Sequence, residues 1–198
     1  MAQSQSDSFE HKAAAHSGHE IMKGQSIMRL MLMLLLAAYV SYLFHEFGHW
    51  LVGTLLGNEM SMSLNGAWPT SGVYLRESHS LPVRIGGPAF TILQAFVALV
   101  IIEKYKTRLA YPFLMFPLVF RVFSLALGEF RAQDEAGISA TLGLGQYTVV
   151  IVICSILLGL VWRGSRTLKL NGSLVGRFIG ACVVCMLTVI ATHKLFFS

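Results

Sequence analysis

The chain is short of charged residues. Only 13% of its 198 residues are Asp, Glu, Lys or Arg, while 55% are hydrophobic. Soluble domains carry about 25% charged residues, so this shortage excludes an ordinary soluble domain. The apolar runs between the charged stretches reach the length of roughly 20 residues that a helix needs to cross a bilayer. The sequence therefore predicts an all-α polytopic protein, integral to a membrane and crossing it several times.

Five transmembrane helices account for the apolar runs. A polar tail at residues 1–26 precedes a single transmembrane domain at residues 27–198. Residues 57–83 are too polar to form a span, and their alternating "MSMSLN" and "SGVYL" predict two short strands around a Gly-Ala-Trp-Pro turn. We expect this strand-like segment to be associated with the membrane. The predicted spans are residues 27–56, 84–102, 109–128, 146–162 and 174–196.

The net charge of +5 would suggest a nucleic-acid partner in a soluble protein. Here, however, 10 of the 15 Lys and Arg residues lie on one predicted side of the membrane. This positive-inside pattern places the N-terminus in the cytoplasm. We therefore expect the lipid bilayer as a partner, and no nucleic acid.

Cysteine is scarce as well. The three cysteines all lie within predicted spans, and Cys182-x-x-Cys185 lacks the second pair that a structural zinc site would need. Polar residues are nearly absent from the fourth and fifth spans, which argues against a transporter. The spans hold a single histidine cluster, which argues against a di-iron lipid oxidase.

That cluster is His45-Glu46-Phe47-Gly48-His49, near the far end of the first span. On a helix, residues four apart lie about 40° from each other on one face, so His45 and His49 can hold one Zn²⁺. Glu46 is then placed to act as a general base on water, as in H-E-x-x-H metalloproteases. The alternative is that these side chains only form hydrogen bonds with other helices. Ionisable groups in a span are costly, which favours the functional interpretation.

A zinc site of this kind needs a third protein ligand and leaves one position open. The third span ends on the same side of the membrane as His49 and is followed by acidic residues. Topology leaves three candidates: Glu129, Asp134 and Glu135.

The chain resembles the site-2 protease family of intramembrane zinc metalloproteases across roughly residues 27–145. The order of features matches: H-E-x-x-H, a strand-bearing segment, a helix opened by Gly87-Pro88-Ala89-Phe90, and an acidic stretch after the next helix. Thr91 stands where that family usually has Asn, and "AQDEAG" stands where it usually has a proline and a single aspartate.

This resemblance implies a metalloprotease-like core at residues 27–145 with accessory helices at 146–198. It also implies that His45, His49 and Asp134 bind Zn²⁺ and that Glu46 is catalytic, with Glu135 as the alternative ligand. The implied activity is endopeptidase cleavage of a membrane-protein substrate within its spanning segment. The alternative function is a non-proteolytic relative with a regulatory or assembly role.

Overall fold

The structure is a computed structural model that describes the backbone of residues 2–127 and 133–196. Side chains are described in these ranges except at residues 2–27, 30, 127, 193, 194 and 196. The chain divides into two compact units, Met1–Met33 and Leu34–Ser198. The second unit contains every functional residue discussed below.

Six α-helices form most of the described chain. Helix α1 begins at Ala2 and includes the polar tail, a stretch that contains no helix-breaking proline. Within the described residues, five segments are long and apolar enough to cross a membrane, which confirms the all-α polytopic fold. The helices are α1 Ala2–Leu55, α2 Ser80–Tyr105, α3 Tyr111–Leu127, α4 Asp134–Thr141, α5 Thr148–Thr167 and α6 Gly172–Phe196. The five candidate spans are Met31–Leu55, Glu77–Tyr105, Arg108–Ala126, Thr148–Thr167 and Gly172–Thr192.

The interior of the second unit is apolar. Helix α2 packs against α3, α4 and α5, and α3 packs against α5 and α6. Their facing side chains are fully buried, whereas many other Leu, Ile and Val side chains point outward. An outer surface of this kind suits contact with lipid rather than water. Buried examples are Ala95, Ile102, Leu114, Phe116, Val150 and Leu157.

The segment between α1 and α2 forms the small hairpin that the sequence predicts, but with a different second strand. Strand β1, Met60–Ser63, pairs antiparallel with β2, Gly66–Pro69. The second strand is thus "GAWP", the stretch expected to be the turn, and "SGVYL" is irregular. Asn-Gly strongly favours a tight hairpin turn, so the chain turns at Asn65-Gly66. The alternating residues of "SGVYL" come after this turn and its short second strand, and they do not pair. Gly72 then turns the chain with a positive φ of 80°.

Helix α4 was not predicted. The residues between the third and fourth predicted spans contain the eight-residue α4, which begins at Asp134. Two acidic residues in its first turn suit the positive end of the helix dipole. The site depends on where this short helix begins.

Candidate metal centre

The site is built where α1 and α2 cross with their backbones almost touching. A Cβ added at Gly48 would overlap the carbonyl of Gly86, and one added at Gly86 would overlap the carbonyl of Gly48. Only glycine permits this approach. It brings the histidines of α1 directly over the start of α2, where Gly87 lies against both imidazole rings.

His45 and His49 direct their Nε2 atoms to one point. These two atoms are 3.2 Å apart, and the rings are nearly perpendicular, with an interplanar angle of 87°. Oδ2 of Asp134 lies 3.2 Å from Nε2 of His45 and 3.1 Å from Nε2 of His49. Among the described residues, these three form a group able to hold a metal ion.

The spacing of the three donor atoms fits a small tetrahedral ion. Zinc bonds of about 2.0–2.1 Å in tetrahedral geometry separate neighbouring ligand atoms by about 3.3–3.4 Å. The observed separations of 3.1–3.2 Å are close to that value. Two imidazole nitrogens and one carboxylate oxygen are also a donor set that zinc accepts. The residues present therefore fit the ion, with a fourth position left for another ligand.

The second ring nitrogen of each histidine has its own partner. Nδ1 of His49 donates to the carbonyl oxygen of Val83 at 2.7 Å, which leaves Nε2 unprotonated in the neutral ring. Nδ1 of His45 lies 3.0 Å from Oγ1 of Thr91, whose hydroxyl donates to the carbonyl of Gly87. Partners of this type orient metal-binding histidines. Thr91, noted in the sequence only as a departure from the family pattern, is thus a partner of a ligand.

Arg121 is a buried cation next to the same ring. Its Nη2 lies 2.8 Å from Nδ1 of His45. A guanidinium can only donate, so this hydrogen bond forms only when Nδ1 of His45 carries no proton. In the tautomer that frees Nε2 for a metal, Nδ1 carries the proton and donates a hydrogen bond to Oγ1 of Thr91. The hydrogen bonds of His45 therefore differ between its two tautomers.

Of the described acidic candidates, the structure brings Asp134 to the histidines and not Glu135. Glu135 is fully buried and pairs with Arg121, with Nη1 of Arg121 3.0 Å from Oε1 of Glu135. The third candidate, Glu129, lies outside the described residues.

Asp134 is held in its charged form. Burial alone would raise the pKa of its carboxyl, but hydrogen bonds from Nε2 of His45 and His49, when these nitrogens carry protons, outweigh burial and hold the pKa below its ordinary value. A carboxylate that is ionised at neutral pH is the form that binds a metal.

A polar cavity of about 340 Å³ opens beside two of the three ligands, His49 and Asp134. Buried Glu46 lines it together with His49 and Asp134, so the predicted base shares a cavity with the predicted ligands. The opposite walls come from the hairpin and the start of α2, which places an extended strand next to the site. These wall residues are Asn65, Gly66, Ala67, Tyr74, Val83 and Arg84.

Two hydrogen-bond donors in this cavity, Tyr74 and Arg84, were missed in the sequence. The guanidinium of Arg84 lies against Gly137, where a Cβ would overlap it. The pKa of Tyr74 is raised, mainly because the phenol is partly buried and also because Asp134 is near, although Arg84 acts in the opposite direction. The phenol therefore stays protonated at neutral pH. No sequence signal could have identified either residue, since only the folded hairpin and α4 place them beside the ligands.

Comparisons with family models, with curated proteins and with solved structures find no match to this chain. What is established is the class: a multi-pass helical membrane protein with a group of side chains able to bind a metal ion.

Proposed function

We propose that the chain is a zinc-dependent intramembrane endopeptidase. One observation carries the proposal: His45, His49 and Asp134 converge at 3.1–3.2 Å, and Glu46 lines the same cavity in a membrane-spanning chain. Two histidines and a carboxylate with an open fourth position form a catalytic rather than a structural zinc site. The resemblance to site-2 proteases in the order of these features supports the same conclusion.

The chain's own residues divide the reaction between them. His45, His49 and Asp134 would hold Zn²⁺, which when bound supplies a Lewis acid able to activate water and polarise a peptide carbonyl at neutral pH. Glu46 takes one proton from the attacking water and returns it to the amide nitrogen as the C–N bond breaks. Water is consumed, and a carboxylic acid and an amine are released, so atoms and charge balance.

The substrate class follows from the walls of the cavity. Gly66 and Ala67 belong to strand β2, so an extended peptide pairing with the hairpin would run past the ligands. Tyr74 and Arg84 offer donors to its carbonyl groups. A membrane-spanning protein segment that unwinds locally would present such a peptide at the depth of His45.

The substrate need not be known to test this proposal. Cells producing the wild type are compared with cells producing Glu46→Gln by mass spectrometry of newly formed N-termini. We expect N-termini within transmembrane segments that depend on Glu46, with yields about 10²–10⁴ times lower in the variant. Glu103→Gln is the matched control, because Glu103 is near the other end of α2 and pairs with Arg163.

Zinc content separates the outcomes. Glu46→Gln should retain zinc, since Glu46 is not a ligand. Equal cleavage by wild type and Glu46→Gln would refute the mechanism. Zinc bound by both proteins without any Glu46-dependent cleavage would favour the non-proteolytic regulatory or assembly role instead.

A further inference from the structure

We propose that the buried ion pair between Arg121 and Glu135 positions the metal centre. It fixes the start of α4 so that Asp134, and not its neighbour Glu135, faces the two histidines. This inference rests on the metal site of the proposed function but is independent of peptide cleavage.

The geometry at the start of α4 requires a choice between two adjacent acids. Successive residues on a helix are about 100° apart, so Asp134 and Glu135 cannot both face the histidines. Glu135 is directed to Arg121 of α3, with a distance of 3.0 Å between Nη1 and Oε1. On the other side of Asp134, Nε2 of Gln133 donates to the carbonyl oxygen of Ser124 at 2.7 Å. Two contacts with α3 therefore flank Asp134 and set its direction.

The burial of the pair argues that it does more than stabilise the fold. The side chains of Arg121 and Glu135 are only 4% and 0% exposed. Removing two charges from water is costly, and a pair of apolar residues of similar size is often as stable or more so. The exposed pair Arg163–Glu103, at 66% and 35%, carries no such cost. Orientation of the neighbouring ligand Asp134 would explain why this buried ion pair is present despite its cost.

Arg121 also touches the other half of the site. Its Nη1 contacts Glu135, next to Asp134, while its Nη2 lies beside the ring of His45. One guanidinium thus lies between the ligand from α1 and the ligand from α4. Arg121 is not among the residues that line the cavity and acts through Asp134, so it is a positioning residue.

The test uses the purified full-length protein and measures two quantities. Zinc affinity is measured by competition with a chromogenic chelator, and thermal stability is measured separately on the metal-free protein. The variants are Glu135→Gln, Arg121→Met and the double variant Arg121→Met/Glu135→Met. Glu103→Gln, the same change in an exposed ion pair, is the matched control and should leave both quantities at wild-type values.

The two single changes should weaken zinc binding about 10–100-fold, as loss of a ligand's supporting partner does. They should also lower thermal stability, because each leaves a buried charge or polar group unpaired. The double variant separates the two effects. It leaves no unpaired charge, so its stability should recover, whereas its zinc affinity should stay at least about 10-fold weaker because Asp134 is no longer held.

Cobalt substitution adds a structural readout. Visible absorption of the Co²⁺-loaded protein reports the ligand geometry, and it should change in the double variant but not in Glu103→Gln. Recovery of both zinc affinity and stability in the double variant would overturn the inference, as would wild-type zinc affinity in Glu135→Gln. A wild type that binds no zinc would instead refute the proposed metal site itself. Absence of proteolysis with zinc bound would refute neither the metal site nor the role of the ion pair.

Discussion

Replacing Gly87 with alanine should empty the metal site while leaving the fold intact. Gly87 lies under both histidines, and a Cβ there would be 2.6 Å from Cε1 of His49 and closer still to Nε2 of His49 and Cε1 of His45. Ordinary contact begins at about 3.4 Å, so the His49 ring must move away by at least about 0.8 Å. Metal–ligand distances tolerate only about ±0.2 Å, so the three donors could no longer share one ion.

The expected magnitude is a loss of zinc affinity of at least about 100-fold, the upper end for disturbing a ligand's surroundings. Overpacking lowers the free energy of unfolding by about 1–3 kcal/mol, whereas replacing a helical glycine with alanine raises it by about 1 kcal/mol. The protein should therefore remain folded. The assay is zinc content by mass spectrometry together with chelator competition on the purified variant.

Gly159→Ala is the matched control for this substitution. Gly159 is also a helical glycine, in α5, but a Cβ there meets nothing within 4 Å. It should bind zinc like the wild type. If Gly87→Ala also kept wild-type zinc affinity, the packing of α2 against the histidines would not govern the site, and the reasoning would be refuted.

Three further predictions concern the surroundings of the site. Thr91→Val removes the oxygen that lies 3.0 Å from Nδ1 of His45 and should weaken zinc binding about 10–100-fold. Thr91→Ser keeps that oxygen and should bind zinc like the wild type. Chelator competition measures the zinc affinity of both variants. Trp50→Phe removes the 3.1 Å hydrogen bond from Nε1 to the carbonyl oxygen of Met60, which contributes about 1 kcal/mol. Amide hydrogen exchange in β1 and β2 should therefore become faster. Unchanged exchange would mean that this hydrogen bond does not stabilise the hairpin. Removing zinc with a chelator should lower the melting temperature of the protein, and added zinc should restore it. Free zinc at 100 times its Kd stabilises the folded protein by about 2.7 kcal/mol. A melting temperature that does not respond to the chelator would argue against bound metal.

The parts of the site that could be predicted are those set by local periodicity. His45 and His49 share a face because of helical geometry alone, and the spans follow from the lengths of the apolar runs. The hairpin was predicted in the right segment but with the wrong second strand, because the chain turns at Asn65-Gly66 and not at the Gly-Ala-Trp-Pro stretch.

Other parts depend on tertiary contacts that no local pattern encodes. The sequence places Asp134 and Glu135 side by side, and only Arg121 and the beginning of α4 distinguish their directions. Tyr74 and Arg84 reach the cavity because the hairpin, α2 and α4 meet there. The close crossing at Gly48 and Gly86 depends on both helices at once.

Zinc stoichiometry tests the central claim most directly. The wild type and Glu46→Gln, purified without chelator, should each contain about one zinc ion per chain, as expected for a two-histidine, one-carboxylate site. His45→Ala and Asp134→Ala should contain almost none. A wild type without zinc, or an Asp134→Ala variant with wild-type zinc content, would contradict the account.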